Sequence, residues 1–428
     1  MDRPKTGWRS AIGPGVLFTG TAVGVSHLVH STRAGALYGF GLIALIVLAN
    51  LTKYPAFRFG PLYAAATGRS LLEGYRRQGR WALALYGVLT VGTMFTVQAA
   101  VTIVTAGLAI ELFGLALDPL LMSGLIWMIC VVLVLSGGYR ALDGAAKVIV
   151  GLLALTTMVA TVLVLPRVDW TGSPWLPTAW GPRDIAFMVA LVGWMPSAID
   201  VSIWQSMWTL ARARQTGTSP EKRSSSIDFH IGYVSTALLA ICFLILGAAI
   251  LHAPGVEVAG APQAFASQLI SLYAAALGGW SRPLIGAAAL ATMFSTTLTV
   301  VDGFPRALSG LAARFRSEEK GIEDGGEPAS ERTPAYWVAL AALGIGSLVI
   351  LGRFTSAMAP LLDLAAALSF LSAPILSWLN HRAVTAPEIQ AEHRPSPRML
   401  LASWVCIAFQ GAFAAAFAAL QIQSWFGA

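Results

Sequence analysis

The sequence predicts an all-α integral membrane protein, on three observations. Apolar residues fill 56% of its 428 positions and charged residues only 11%, against roughly 25% charged in soluble domains. Apolar runs long enough to cross a bilayer recur along the whole chain. Helix-breaking residues interrupt two of these runs: Gly13-Pro14-Gly15 leading into Gly24-Val25-Ser26-His27, and Gly193-Trp194-Met195-Pro196-Ser197. Backbone freed from a helix at that depth is costly unless it lines a cavity. Two broken helices in corresponding halves therefore point to the substrate site of a transporter.

Eleven spans are expected, at about 11–37, 40–66, 81–113, 119–138, 141–165, 184–212, 229–252, 282–312, 334–352, 356–380 and 399–423. Their loops alternate in charge. One side receives Arg3, Lys5 and Arg9; Arg69, Arg76, Arg77 and Arg80; Arg140; Arg212, Arg214, Lys222 and Arg223; Arg314, Arg316, Lys320 and Arg332; and Arg382, Arg394 and Arg398. The other receives few, such as Arg167, Arg183 and Arg353. This asymmetry places the N-terminus in the cytoplasm and the C-terminus outside, in the cell (inner) membrane. It also accounts for the net charge of +7 without a nucleic-acid partner. The basic N-terminus leads into a retained first span with no small-residue cleavage site.

Residues 213–227 and 315–333 read as cytoplasmic loops, and 166–182 as an external loop anchored at the interface by Trp170, Trp175 and Trp180. Residues 253–281 read as short helices over the external mouth. Cys130, Cys242 and Cys406 lie inside spans and read as small core residues. No separate soluble domain is expected, so residues 1–428 form one polytopic unit. The two breaks recur five spans apart, in spans one and six, and an odd number of spans per half inverts the second half. This is the arithmetic of a five-plus-five inverted repeat, about 11–165 and 184–380, with 399–423 as an added helix.

Residues 13–39, with Gly13-Pro14 at the start and Gly35-Ala36-x-Tyr38-Gly39 at the end, resemble the first span of the Nramp family of metal-ion transporters. Met195-Pro196 is similar to the family's Met-Pro-His motif, with Ser197 in place of His. The resemblance implies the LeuT fold, alternating access and a site between spans one and six. It also shows departures. Where the family carries Asp-Pro-Gly-Asn, this chain has Gly24, Val25, Ser26 and His27. The metal-binding Asp is a glycine and the Asn a histidine, while Met195 keeps the thioether.

Gly24, Ser26, His27, Trp194, Met195 and Ser197 are the candidate substrate contacts. His27 either touches substrate or carries a proton, or it is a neutral imidazole bonded within the bundle. Candidates for coupling or gating are His30, Arg33, Asp200, Thr296, Asp302 and Asp363. Arg33 either attracts an anion or snorkels to the surface. Asp200 either contacts substrate or closes a Ser197-x-x-Asp200 capping box. Asp302 and Asp363 are relay acids or salt-bridge partners, Asp302 with an arginine such as Arg306. Thr296, Thr297 and Thr299 line the path or pack helices. Trp204 and Trp208 read as packing, and Lys53, Asp143 and Lys147 as gate or packing pairs.

No phosphate-binding loop, His-Glu-x-x-His or paired cysteine site is present in the sequence, so neither an enzyme nor a resident cofactor is expected. Helix N-termini aimed at a site without its Asp favour a small inorganic anion such as bicarbonate. The rivals are a divalent metal cation held by Met195, His27 and Asp200, an organic solute, or a non-transporting sensor. The expected partners are the ion, a coupling H⁺ or Na⁺ and the lipid bilayer, around a monomer.

Overall fold

Long apolar runs punctuated by glycine and proline leave the backbone little choice inside a bilayer, where each peptide group must be bonded within its own helix. A computed structural model shows the result and describes residues 22–136, 139–168, 181–216, 222–252, 258–319, 332–354 and 357–426. Among these residues there are fourteen α-helices and no strand. The first-span residues Gly13, Pro14 and Gly15, the tryptophans Trp170, Trp175 and Trp180, and the side chains of Asp143 and Lys147 lie outside the described residues.

Span one is described from Ala22. It bends at Val23 and Gly24, passes through a π-helical turn at Ser26–Ser31 and ends as α1 (Thr32–Tyr38). Span two is α2 (Ile43–Thr67), and a short helix α3 (Leu71–Gln78) follows it. Spans three to five are α4 (Arg80–Phe113), α5 (Pro119–Ser136) and α6 (Tyr139–Val164). Span six is broken into α7 (Pro182–Trp194) and α8 (Asp200–Thr216). Span seven is α9 (Lys222–Leu251), α10 (Pro262–Leu277) is the segment expected over the mouth, and span eight is α11 (Ser281–Glu319). α12 (Pro334–Phe354), α13 (Met358–Val384) and α14 (Pro397–Phe426) complete the eleven spans. Seven of these helices are individually long and apolar enough to cross a membrane. α2 carries Lys53, and spans one and six are interrupted, which lowers their signal.

The structure differs from the sequence reading in three places. The polar stretch after span two forms α3 instead of a loop. The mouth segment includes one 16-residue helix that packs on α4. Helices α8, α9 and α11 also run on into the expected cytoplasmic loops.

The longest helices, α4 with 34 residues and α11 with 39, are spans three and eight and pack on each other. They occupy equivalent places in the two halves, as do the broken spans one and six. The two halves of span six have different partners: α7 packs on α13, and α8 packs on α2. Small residues permit these approaches. A side chain at Gly193 would strike the Ala366 carbonyl. Gly35 faces the Leu244 carbonyl and Gly247 the Thr32 carbonyl, a reciprocal clamp between α1 and α9.

Candidate substrate site

Pro196 has no N–H to continue the ladder of α7, so the helix stops at Trp194 and restarts at Asp200. The first bonds across the break are backbone ones, Val201 N to Ala198 O at 3.2 Å and Ser202 N to Ile199 O at 2.8 Å. Among the described residues no hydrogen bond joins Ser197 to Asp200, and Asp200 Oδ1 has no partner. The capping box is therefore not formed, and this carboxylate oxygen is left free at the start of α8.

The two breaks meet at a cavity of about 50 Å³. Spans one, three, six and eight line it: Ala22, Gly24, Val25 and Ser26; Val97 and Val101; Trp194, Ser197, Ala198, Asp200, Val201 and Trp204; and Thr296, Val300 and Phe304. Trp194 is tied by its indole N–H to Ser369 Oγ at 2.9 Å. Trp204 stands edge-on to Phe304 at 4.9 Å between centroids. A Cβ at Gly24 would come within 3.0 Å of Thr296 Oγ1 and Cγ2, so Thr296 takes the room a side chain would need there. Asp200 is the only charged residue among the described residues lining this cavity, and it is 3% exposed.

Six of the twelve sequence candidates thus come together: Gly24, Ser26, Trp194, Ser197, Asp200 and Thr296. The other six are placed elsewhere. His27 points to span seven, where its Nε2 donates to the Thr236 carbonyl at 2.9 Å, while Nδ1 lies 2.7 Å from Ser26 Oγ. Met195 is fully buried in an apolar cluster with Phe40, Leu42, Ile46 and Phe187. Asp302 accepts from Arg306 at 2.6 Å and from Tyr336 at 2.7 Å, the salt-bridge alternative.

His30, Arg33 and Asp363 form a separate cluster. Arg33 donates twice to Asp363, at 2.7 and 3.1 Å, and His30 Nε2 lies 3.2 Å from the same carboxylate. The guanidinium also covers the Phe187 ring at 4.9 Å. His30 meets Trp194 edge-on at 5.7 Å, so this cluster sits directly beyond one wall of the cavity.

Sequence reasoning missed two features. Trp204 is part of the cavity wall and does more than pack. The signal is its place four residues after Asp200, on the same helix face; Thr296, Val300 and Phe304 repeat that spacing on span eight. The second is Lys53, which is buried and pairs with no acid among the described residues. Its ammonium donates to the Gly193 and Ser197 carbonyls at 2.6 and 3.1 Å.

A family model described as "Natural resistance-associated macrophage protein-like", or Nramp, matches residues 15–419. The chain belongs to the Nramp family. An uncharacterized protein of Pasteurella multocida is 35% identical, over 97% of this chain and 94% of its own. A divalent metal cation transporter, MntH, of Deinococcus radiodurans is 27% identical over 58% of each chain. Among solved structures, a mutant of the manganese transporter of Eremococcus coleocola aligns with a TM-score of 0.72 at 14% identity, covering 100% of this chain and 90% of that one. MhsT in complex with L-phenylalanine aligns at 0.64 and 12% identity, covering 94% and 97%. At these identities the structural likenesses speak for the fold: this Nramp-family protein is a multi-pass membrane transporter with the LeuT fold.

Proposed function

We propose that this Nramp-family transporter carries a small inorganic cation, a divalent metal ion with oxygen ligands, by alternating access through the cavity between spans one and six. One observation carries this reading: Asp200 is the only charged residue among the described residues lining the cavity, and one oxygen of its carboxylate, Oδ1, is buried without a hydrogen-bond partner. A buried carboxylate oxygen without a partner is costly, and a bound cation relieves it. The anion expectation rested on helix N-termini facing a site without its Asp, with His27 and Arg33 as added donors. Both are turned to other partners, and an anion would meet Asp200 instead.

The donor set defines the kind of cation. Asp200, Ser26, Ser197 and Thr296 bring only oxygen, and Met195 belongs to an apolar cluster and is not among the lining residues. Oxygen ligands suit Mg²⁺ and Mn²⁺ better than softer metals. A cavity of about 50 Å³ leaves room for an ion with a water or two. Small-molecule sites begin near ~300 Å³, which disfavours an organic solute. MntH of D. radiodurans, named a divalent metal cation transporter, adds weight to a metal.

Alternating access needs a closure on each side. The Arg33–Asp363 pair with His30 ties the outer half of span one to span ten. On the other side, Tyr75 donates to Asn380 at 2.6 Å, and Asn380 to Ser202 at 2.8 Å, tying α3, α13 and α8. The positive loops put the first closure outside, with the N-terminus cytoplasmic, the C-terminus outside and the chain in the inner membrane.

Calorimetric titration of the purified protein with Mn²⁺, Mg²⁺ and bicarbonate tests the reading. Divalent binding is expected, weakened at least ~10-fold, or about 1.4 kcal/mol, in Asp200→Asn. Bicarbonate binding without metal binding would overturn it and restore the anion.

A further inference from the structure

We propose that Lys53 is a tethered cation standing where a free monovalent coupling ion would otherwise bind, so that this transporter works without sodium or potassium. Lys53 lies near the middle of α2, with its side chain buried at 1% residue exposure. Its ammonium reaches the break of span six and donates to the Gly193 carbonyl at 2.6 Å and the Ser197 carbonyl at 3.1 Å.

Those two acceptors are of particular kinds. Gly193 is in the last turn of α7, where unsatisfied carbonyls concentrate the negative end of the helix dipole. Ser197 is in the unwound segment between α7 and α8. In transporters built on broken helices, half-helix C-terminal ends and unwound carbonyls are the groups that coordinate a coupling cation. Here a side chain of the protein's own span two already occupies them.

The charge balance agrees. No carboxylate forms an ion pair with Lys53 among the described residues. A buried ammonium is costly unless strongly bonded. The helix end and two charge-assisted bonds are its compensation. Ser197 also lines the substrate cavity. The same residue thus joins the tethered cation to the cavity, and Lys53 acts as a positioning residue for the break.

The test is thermal unfolding of the purified protein in sodium, potassium or choline chloride. It needs no transported substrate, so its result is separate from the success or failure of the metal reading. The wild type is expected to melt alike in all three salts. Lys53→Ala is expected to melt several degrees lower and to regain about half of the loss, saturably, with ~100 mM sodium or ethylammonium but not choline. Lys53→Arg should remain indifferent to sodium. Saturable stabilisation of the wild type by sodium or potassium overturns the proposal. So does a Lys53→Ala protein that responds to neither sodium nor ethylammonium. If Lys53→Ala does not fold, Lys53→Gln replaces it, and the same two results support or overturn the proposal.

Discussion

Ser26 and His27 are neighbours, yet Ser26 faces the cavity and His27 faces span seven. Trp194 and Met195 divide in the same way. Motif position singles out all four, but a motif does not say which side of a broken helix each residue takes. On a regular helix each step turns a side chain by about 100°. A π-helical turn in span one and an unwound segment in span six change that count locally, so the facing could not be read from spacing. Asp200 was legible as an acid after a proline break; that it escapes the capping role was not, because it depends on the backbone bonds of the break. The placement of Met195 is open to test. Met195 belongs to the buried apolar cluster that also holds Phe40, Leu42, Ile46 and Phe187, so Met195→Leu, which conserves volume, should cost under ~1.5 kcal/mol. Mn²⁺ affinity measured by calorimetry should change less than about twofold. Loss of Mn²⁺ binding in this variant would put the sulfur back in the site.

At the scale of elements, the eleven spans were legible because a bilayer demands long apolar runs and marks their ends with charge. The short helix α3 was not, since eight residues, half of them charged or amide side chains, carry no span signal. Which helices touch was also hidden, because pairing in a membrane depends on a few small residues. The clamp between α1 and α9 illustrates this. Gly247→Val would push a branched side chain against the Thr32 carbonyl and should destabilise the fold by about 1–3 kcal/mol or more. Denaturation of the purified variant would show it, and unchanged stability would mean that the two helices are free to part. The link between α1 and α13 makes a different kind of contact, through charge. Removing one partner, as in Arg33→Gln, leaves Asp363 with only His30 of its present partners and unfastens α1 from α13. Ion affinity should stay within about threefold, because Arg33 does not line the cavity, while uptake into proteoliposomes should fall at least ~10-fold (about 1.4 kcal/mol). A variant with normal uptake would show that this pair is not part of the cycle.

Across the whole molecule, the inverted arrangement was legible from arithmetic alone: the breaks recur five spans apart, and an odd number of spans per half turns the second half over. By the same arithmetic, eleven crossings are expected to leave the termini on opposite faces. The structure brings three of the basic loops together. Arg314, at the end of α11, lies 3.7 Å from Glu73 on α3, and Gln78 donates to the Leu379 carbonyl of α13 at 3.0 Å. The loops after spans two, eight and ten therefore share one face, as the alternation of charge requires. Positive loops stay in the cytoplasm, so that face is expected to be cytoplasmic and the end of α14 to lie outside. Alkaline phosphatase fused after α14 should be active in whole cells, and a fluorescent protein fused there should stay dark. After truncation at the end of α13, the two reporters should exchange behaviour. A bright fluorescent fusion at the full-length C-terminus would mean that one span had been miscounted. It would also undo the assignment of the Arg33–Asp363 closure to the outside, because the number of crossings and the sidedness of that closure rest on the same alternation.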